Sequence, residues 1–130
     1  VLRPGSDLTL IGTGSLVGRC KVAADLLADE NIDVRLIAMA TIKPIDKELL
    51  YQAADETGTI VTVEEHSIIG GLGGAVAEAI SSSFPAHIEM IGLRDTFART
   101  GFDPESLMDD CGLAVSDIVK AVKLAVKRKG

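Results

Sequence analysis

Glu64, Glu65 and His66 stand together in the stretch TVEEHSIIGGLGGAVAEAI, Thr62 to Ile80, ahead of Gly70, Gly71, Gly73 and Gly74. Carboxylates beside an imidazole are the groups of general acid and base chemistry. Glycines at a helix start bare backbone N–H groups toward an anion or a neighbouring chain. An acid/base site also needs a nucleophile, a metal or a cofactor within reach, and no Ser, Cys or Lys near this stretch forms a triad or dyad. Glu64, Glu65, His66 and the distant His87 lack the spacing of a metal-ligand set. The stretch therefore reads as an interface or ligand-adjacent loop, with Glu65, His66, Gly70, Gly71 and Gly73 as its interface or anion-binding candidates.

Two other segments invite the same question. GTGSLVG, Gly12 to Gly18, imitates a dinucleotide fingerprint, but its third glycine comes one residue late and the following strand ends IAMATI without a ribose-binding acid. The plainer reading is a tight turn in which Thr13 or Ser15 caps a helix and Gly18 lets helix and sheet approach. Gly12, Thr13 and Gly14 are the candidates there. GLRDTFARTG, Gly92 to Gly101, places Arg94 and Arg99 around Asp95, with Phe97 and Phe102 nearby. Arg94 at a strand end suits a phosphate; equally, Arg94 and Asp95 fix the loop while Phe97 packs against a neighbour.

The elements that must position these loops alternate. DLTLIG (Asp7 to Gly12), DVRLIAMATI (Asp33 to Ile42), GTIVTVE (Gly58 to Glu64) and AHIEMIGL (Ala86 to Leu93) are β-branched and leucine-rich runs, and the third shows no polar alternation, as a central strand requires. Between them, Leu16, Cys20, Ala23, Ala24 and Leu27 recur at helical spacing in Ser15 to Glu30. Asp46 caps a helix running to about Glu56, and a glycine-opened helix from about Gly71 to Ser83 buries Leu72, Val76, Ala79 and Ile80. A short helix is expected near Pro104, and a last one from about Ser116 turns Val115, Ile118, Val122 and Ala125 inward. This pattern predicts an α/β fold, a three-layer α/β/α sandwich on a mostly parallel sheet of about five strands, with VLRPG as a short antiparallel edge strand. In such a sheet ligands bind beyond the carboxyl ends of the strands, where all three loops fall.

Composition narrows the function. The chain has 130 residues, 47% hydrophobic, enough for one domain over residues 1–130 with one core. Its 13 basic against 19 acidic residues give a formal charge of −6, which argues against nucleic acid or an anionic membrane as partner. Cys20 and Cys111 lie far apart without metal-ligand spacing and read as reduced, partly buried thiols, which fits a cytoplasmic protein. No apolar run reaches the length of a membrane span. A chain opening VLRPGSDL without an initiator Met reads as part of a longer polypeptide.

Taken in order, IKPIDKELL (Ile42 to Leu50), TIVTVEEHSIIGGLGGAVAE (Thr59 to Glu78) and GLRDTFARTG, flanked by DLTLIGTGSLV and LAVSDIVKAV, resemble the C-terminal domain of transketolase-type, thiamine-diphosphate-dependent enzymes over essentially the whole chain. EEHSIIGGLG is most similar to split transketolases, whose C-terminal half is a separate polypeptide; deoxyxylulose-phosphate synthases and the β subunits of 2-oxo acid dehydrogenases share the framework. The resemblance implies a domain that does not itself hold the cofactor: thiamine diphosphate and magnesium sit between other domains of the whole enzyme, and the Gly-Asp-Gly and distant Asn of the diphosphate signature are not in this sequence. It implies the remaining transketolase domains or an N-terminal subunit as partners, in a homo-oligomer of the whole enzyme, with Glu65, His66 and the glycine-rich turn at the packing surface. Relatives carry Glu-Glu-Gly or Glu-Glu-Asn at this point, which argues against a catalytic role for His66. No catalytic, cofactor-binding or metal-binding residue is expected in this domain. Two other classes compete: a module sensing a nucleotide or sugar phosphate through GTGS and Arg94, and a plain oligomerisation domain.

Overall fold

The computed structural model describes residues 2–14, 16–39, 46–67, 72–81, 86–93 and 114–129. Four apolar runs form the parallel strands β1 (Leu8–Gly12), β2 (Val34–Ala38), β3 (Thr59–Ser67) and β4 (His87–Leu93), in the order β2-β1-β3-β4. Around them lie α1 (Leu16–Ala28), α2 (Lys47–Thr57), α3 (Leu72–Ile80) and α4 (Val115–Lys129). The expected short helix near Pro104 falls outside the described residues.

The period-2 geometry of the strands sorts their side chains into two cores. Leu8, Leu10, Val34, Leu36, Val61 and Val63 meet the inward stripes of α1 and α4, including Leu16, Leu27, Ile118 and Val122. Ile11, Ile37 and Ile60 point the other way, onto Leu50 and Ala53 of α2 and Leu72, Val76 and Ile80 of α3. This is the three-layer sandwich that the sequence predicts. The fifth strand is reduced to a single antiparallel bridge, Arg3 to Leu36, on the outer side of β2. Leu36 donates to the Arg3 carbonyl at 2.9 Å, and the Arg35 Nε donates to the Gly5 carbonyl at 3.1 Å, tying the N-terminal segment to that edge.

Local chemistry fixes the ends of the helices. Asp46 caps α2 as expected, accepting from Leu49 N at 3.1 Å, and Gly58 ends it in the left-handed region at φ 71°. The end of α1 is closed by Asn31, at φ 63°, with Ile32 N donating to Leu27 O and Asn31 N to Ala28 O, each at 3.0 Å. These are the two bonds of a Schellman cap, with asparagine in the place glycine usually takes. Cys20 is fully buried in the α1 core, and burial pushes its thiol up to about 12, so it stays protonated and inert. Cys111 lies outside the described residues.

Two polar features tie the layers together. Thr57, at the end of α2, sets its hydroxyl 2.7 Å from Ala53 O and 2.8 Å from the Thr9 hydroxyl of β1, all buried. Replacing Thr57 by Val should cost about 1–3 kcal/mol, because the Thr9 hydroxyl is left buried without its partner, while the Thr9→Val, Thr57→Val double variant should cost less than the sum of the single changes; urea denaturation measures all three. On β4, Glu89 accepts from His87 Nε2 at 2.9 Å and from Arg128 of α4. The His87 hydrogen bond, with help from Arg128, holds the Glu89 carboxyl below its ordinary value of 4.5. A lowered folded-state value contributes stability that is complete above 4.5 and is lost as pH falls through the lowered value. Glu89→Gln should therefore cost up to about 1 kcal/mol near pH 7, with the difference from the parent protein closing in denaturation curves taken as pH drops below the carboxylate range.

Candidate functional site

Strand order places a switch point between β1 and β3: the chain leaves β1 toward β2 and returns on the other side at β3. Ligands of open α/β sheets favour the crevice at such a point. Gly12, Thr13 and Gly14 stand at one lip and the end of β3 at the other, so the structure brings two of the three candidate segments together. Thr13 N donates to Val63 O at 3.3 Å, stitching the two lips, while on the other side of β1 Met39 N, past the end of β2, donates to Gly12 O at 3.0 Å.

The turn after β1 divides its work between two glycines. Gly14 takes φ 55°, which a β-carbon would strain. Gly12 is buried, and a β-carbon there would lie 2.9 Å from Cys20 Sγ, so this glycine is what lets α1 approach the sheet. The expectation that Gly18 serves that purpose is corrected: Gly18 is exposed, with no atom within 4 Å of where its β-carbon would be. The α1 start is held by backbone, Leu16 N donating to Thr13 O at 3.1 Å. Ser15, the other capping candidate, lies outside the described residues.

At the end of β3 the structure departs from the expected loop. The strand runs on to Ser67, so Glu65 and His66 belong to it, and they do not begin the loop. The reason is β4, which outlasts β1: pairing with β1 stops at Gly12–Val63, whereas Ser67 still pairs with Leu93 after a break in register following Val63. Residues 64–67 thus overhang the sheet on the β1 side, and the structure describes their course from Glu65 to Ser67 by its backbone.

Glu64 is the residue whose role the sequence reading underestimated. It is 1% exposed, on the α2/α3 face of β3. Its Oε1 accepts from Leu72 N at 2.8 Å and its Oε2 from Gly73 N at 2.9 Å. A buried carboxylate is costly unless hydrogen-bonded, and here both oxygens are satisfied by the amides that the first turn of α3 leaves without intrahelical partners. The positive end of the helix dipole adds to the attraction. A signal was available: no Ser, Thr, Asp or Asn stands at positions 68–71 to cap α3 locally, so the cap had to come from elsewhere.

Gly73, the anion-binding candidate, is therefore committed within the protein: its N–H goes to Glu64. Its missing side chain also matters, since a β-carbon would sit 2.6 Å from Met90 Cγ and 3.0 Å from Thr62 Oγ1. Thr62 Oγ1 is buried without a hydrogen-bond partner in the structure. Gly70, Gly71 and Arg94 lie outside the described residues, as do Arg99, Phe97 and Phe102. His87 pairs in register with Thr59, at the opposite end of β3 from Glu64, so the structure does not bring the histidine to the carboxylates. Among the described residues no group of three or more His, Cys, Asp and Glu side chains could hold a metal ion, and no helix is long and apolar enough to cross a membrane.

A diphosphate does not fit the best-formed end of this site. The amides that would greet it are occupied by Glu64, and the carboxylate would repel it. Chemically, the described arrangement is a braced strand-to-helix junction in which the charge is supplied by the protein itself. Gly73→Ala should destabilise the protein by about 1–3 kcal/mol through overpacking against Met90, with Met90→Ala in the same chain recovering part of the loss in thermal or urea unfolding.

Comparison with known proteins gives concordant findings. The sequence pattern of the transketolase C-terminal domain matches residues 1–118. The 6-deoxy-6-sulfo-D-fructose transketolase subunit SqwH of Clostridium sp. (strain MSTE9) is 36% identical over 129 residues, 99% of this chain and 40% of its own length. A subunit of the apulose-4-phosphate transketolase of Phocaeicola vulgatus is 40% identical over 116 residues, 82% of this chain and 37% of its own. A solved structure of a split-gene transketolase, described as an inactive β4 tetramer, superposes with a TM-score of 0.91 at 42% identity, covering 98% of this chain and 41% of that one. The chain thus spans about two fifths of the length of these relatives.

Proposed function

Because the chain belongs to the transketolase C-terminal domain family, we propose that it is the C-terminal domain, residues 1–130, of a longer split-transketolase subunit whose assembled enzyme moves a two-carbon ketol unit between sugar phosphates. The observation that carries this reading is the match to the split-gene transketolase structure, at a TM-score of 0.91 and 42% identity. Two relatives that carry matching domains are themselves named as transketolase subunits. In this reading the domain packs against the rest of its own chain and an N-terminal subunit in a cytoplasmic oligomer serving pentose phosphate metabolism.

Thiamine diphosphate, when bound by the whole enzyme, supplies the carbanion that attacks the donor ketose and the electron sink that holds the transferred fragment. The diphosphate belongs to the other domains. The occupied α3 terminus supports this division, because the described strand-end amides with good anion-binding geometry already serve Glu64. What this domain contributes is shape: a rigid sheet end from which residues 65–67 project, ready to meet a neighbour. Glu65 and His66, with the half-buried Thr13 and the exposed Gly14, are its packing positions in this reading, and Gly70, Gly71 and Arg94 join them; the candidate Gly12 is spent inside the domain, buried beneath α1.

The test is ketol transfer from a ketose phosphate donor to an aldose phosphate acceptor, assayed with thiamine diphosphate and magnesium on the full-length polypeptide together with its N-terminal partner. The intact pair should be active, and removing residues 1–130 should abolish transfer or dissociate the oligomer. Undiminished transfer by an unchanged oligomer lacking this domain would contradict the assembly role.

A further inference from the structure

The beginning of α3 poses a problem that sequence preference does not solve. Its first three residues are Leu72, Gly73 and Gly74, two of them among the poorest helix formers, and the four preceding residues, Ile68, Ile69, Gly70 and Gly71, offer no capping side chain. The helix is only 9 residues long, short enough that its start depends on outside contacts. The partner for its first amides comes from the strand instead: the Glu64 carboxylate, 8 and 9 positions upstream.

We propose that Glu64 is a positioning residue, a buried clamp that locks the first turn of α3 to the end of β3. Three observations converge on it. Both carboxylate oxygens are used, at 2.8 and 2.9 Å, within a site that is 1% exposed. The register of β3 breaks directly after Val63, the last residue held on both sides, by β1 and β4. Glycine at position 73 allows the turn to sit tightly over Thr62 and Met90, so the clamp works at short range.

The clamp fixes both anchor points of the intervening segment, residues 65–71, from inside the domain. Glu64 itself is buried within the domain. Its consequence for assembly rests on the reading of this domain as a packing module; the clamp does not. Glutamine is the informative substitution. It keeps the size of the side chain but replaces one acceptor by an NH2 group, which must face a backbone donor.

The test uses the full-length protein assembled with its partner chain, comparing Glu64→Gln with the parent and with Val122→Ala, a change in the opposite core between α4 and the sheet. Hydrogen exchange is read residue by residue, alongside the dissociation constant of the assembly by sedimentation. In Glu64→Gln, the amides of Leu72 and Gly73 should exchange about tenfold faster or more, while those of Leu10 and Val61 keep their protection. Assembly should weaken about tenfold, and Val122→Ala, compared at equal loss in melting temperature, should leave both the 72–73 amides and the assembly unchanged. Uniform acceleration across the sheet, or unchanged exchange at Leu72 and Gly73, overturns the clamp. Local acceleration with unaltered assembly upholds the clamp and removes the packing role of the segment; an assembled protein without ketol transfer but with the same exchange pattern overturns the enzymatic reading alone.

Discussion

One carboxylate joins the end of β3 to the start of α3. Burying Glu64 between β3 and α3 places a negative charge where water is excluded, and that arrangement is tolerable only because two helix-start amides, themselves in need of acceptors, point at it. Each side solves the other's problem. Gly73, one of the glycines that look like an invitation to a phosphate, instead allows the helix to come near enough for the strand to cap it, lying against Thr62 and Met90.

The rest of the architecture serves to present that junction. Two apolar cores, on opposite faces of a sheet buried over residues 8–12 of β1 and 59–64 of β3, leave these strands little freedom, and the Thr13 to Val63 bond carries their pairing one step further. In the proposed assembly that bracing has a consequence. A domain that offers its neighbours a fixed surface loses little entropy on docking, so contact area converts into affinity more fully than it would from a mobile loop.

Much of this was legible in the sequence, for physical reasons. The alternation of β-branched runs with 3.6-period stripes could satisfy its burial only as layers of helices on a parallel sheet, and Asp46 starts α2 by chemistry that is local to the chain, though Gly58, read as the first residue of a strand, closes that helix instead. The antiparallel tendency of VLRPG also survives, as one bridge at Arg3. What escaped was everything non-local. The end of β3 depends on how far β4 extends beside it, which nothing in GTIVTVE encodes, and so Glu65 and His66 moved from loop to strand. Gly12 and not Gly18 admits α1 because Cys20 happens to face it, a fact of three-dimensional packing. Glu64 looked like half of an acid/base pair because its partners are backbone amides, invisible in a residue alphabet.

The Leu72 and Gly73 amides are committed to the domain's own carboxylate, and the proposed scaffold role requires that they stay so in the presence of the cofactor. Titration of the isotopically labelled protein with thiamine diphosphate and magnesium, following the amide resonances of Leu72 and Gly73, addresses this directly. Both resonances should stay in place through the titration. Saturable shifts of those two amides would mean that the diphosphate displaces Glu64, and the scaffold reading would be wrong.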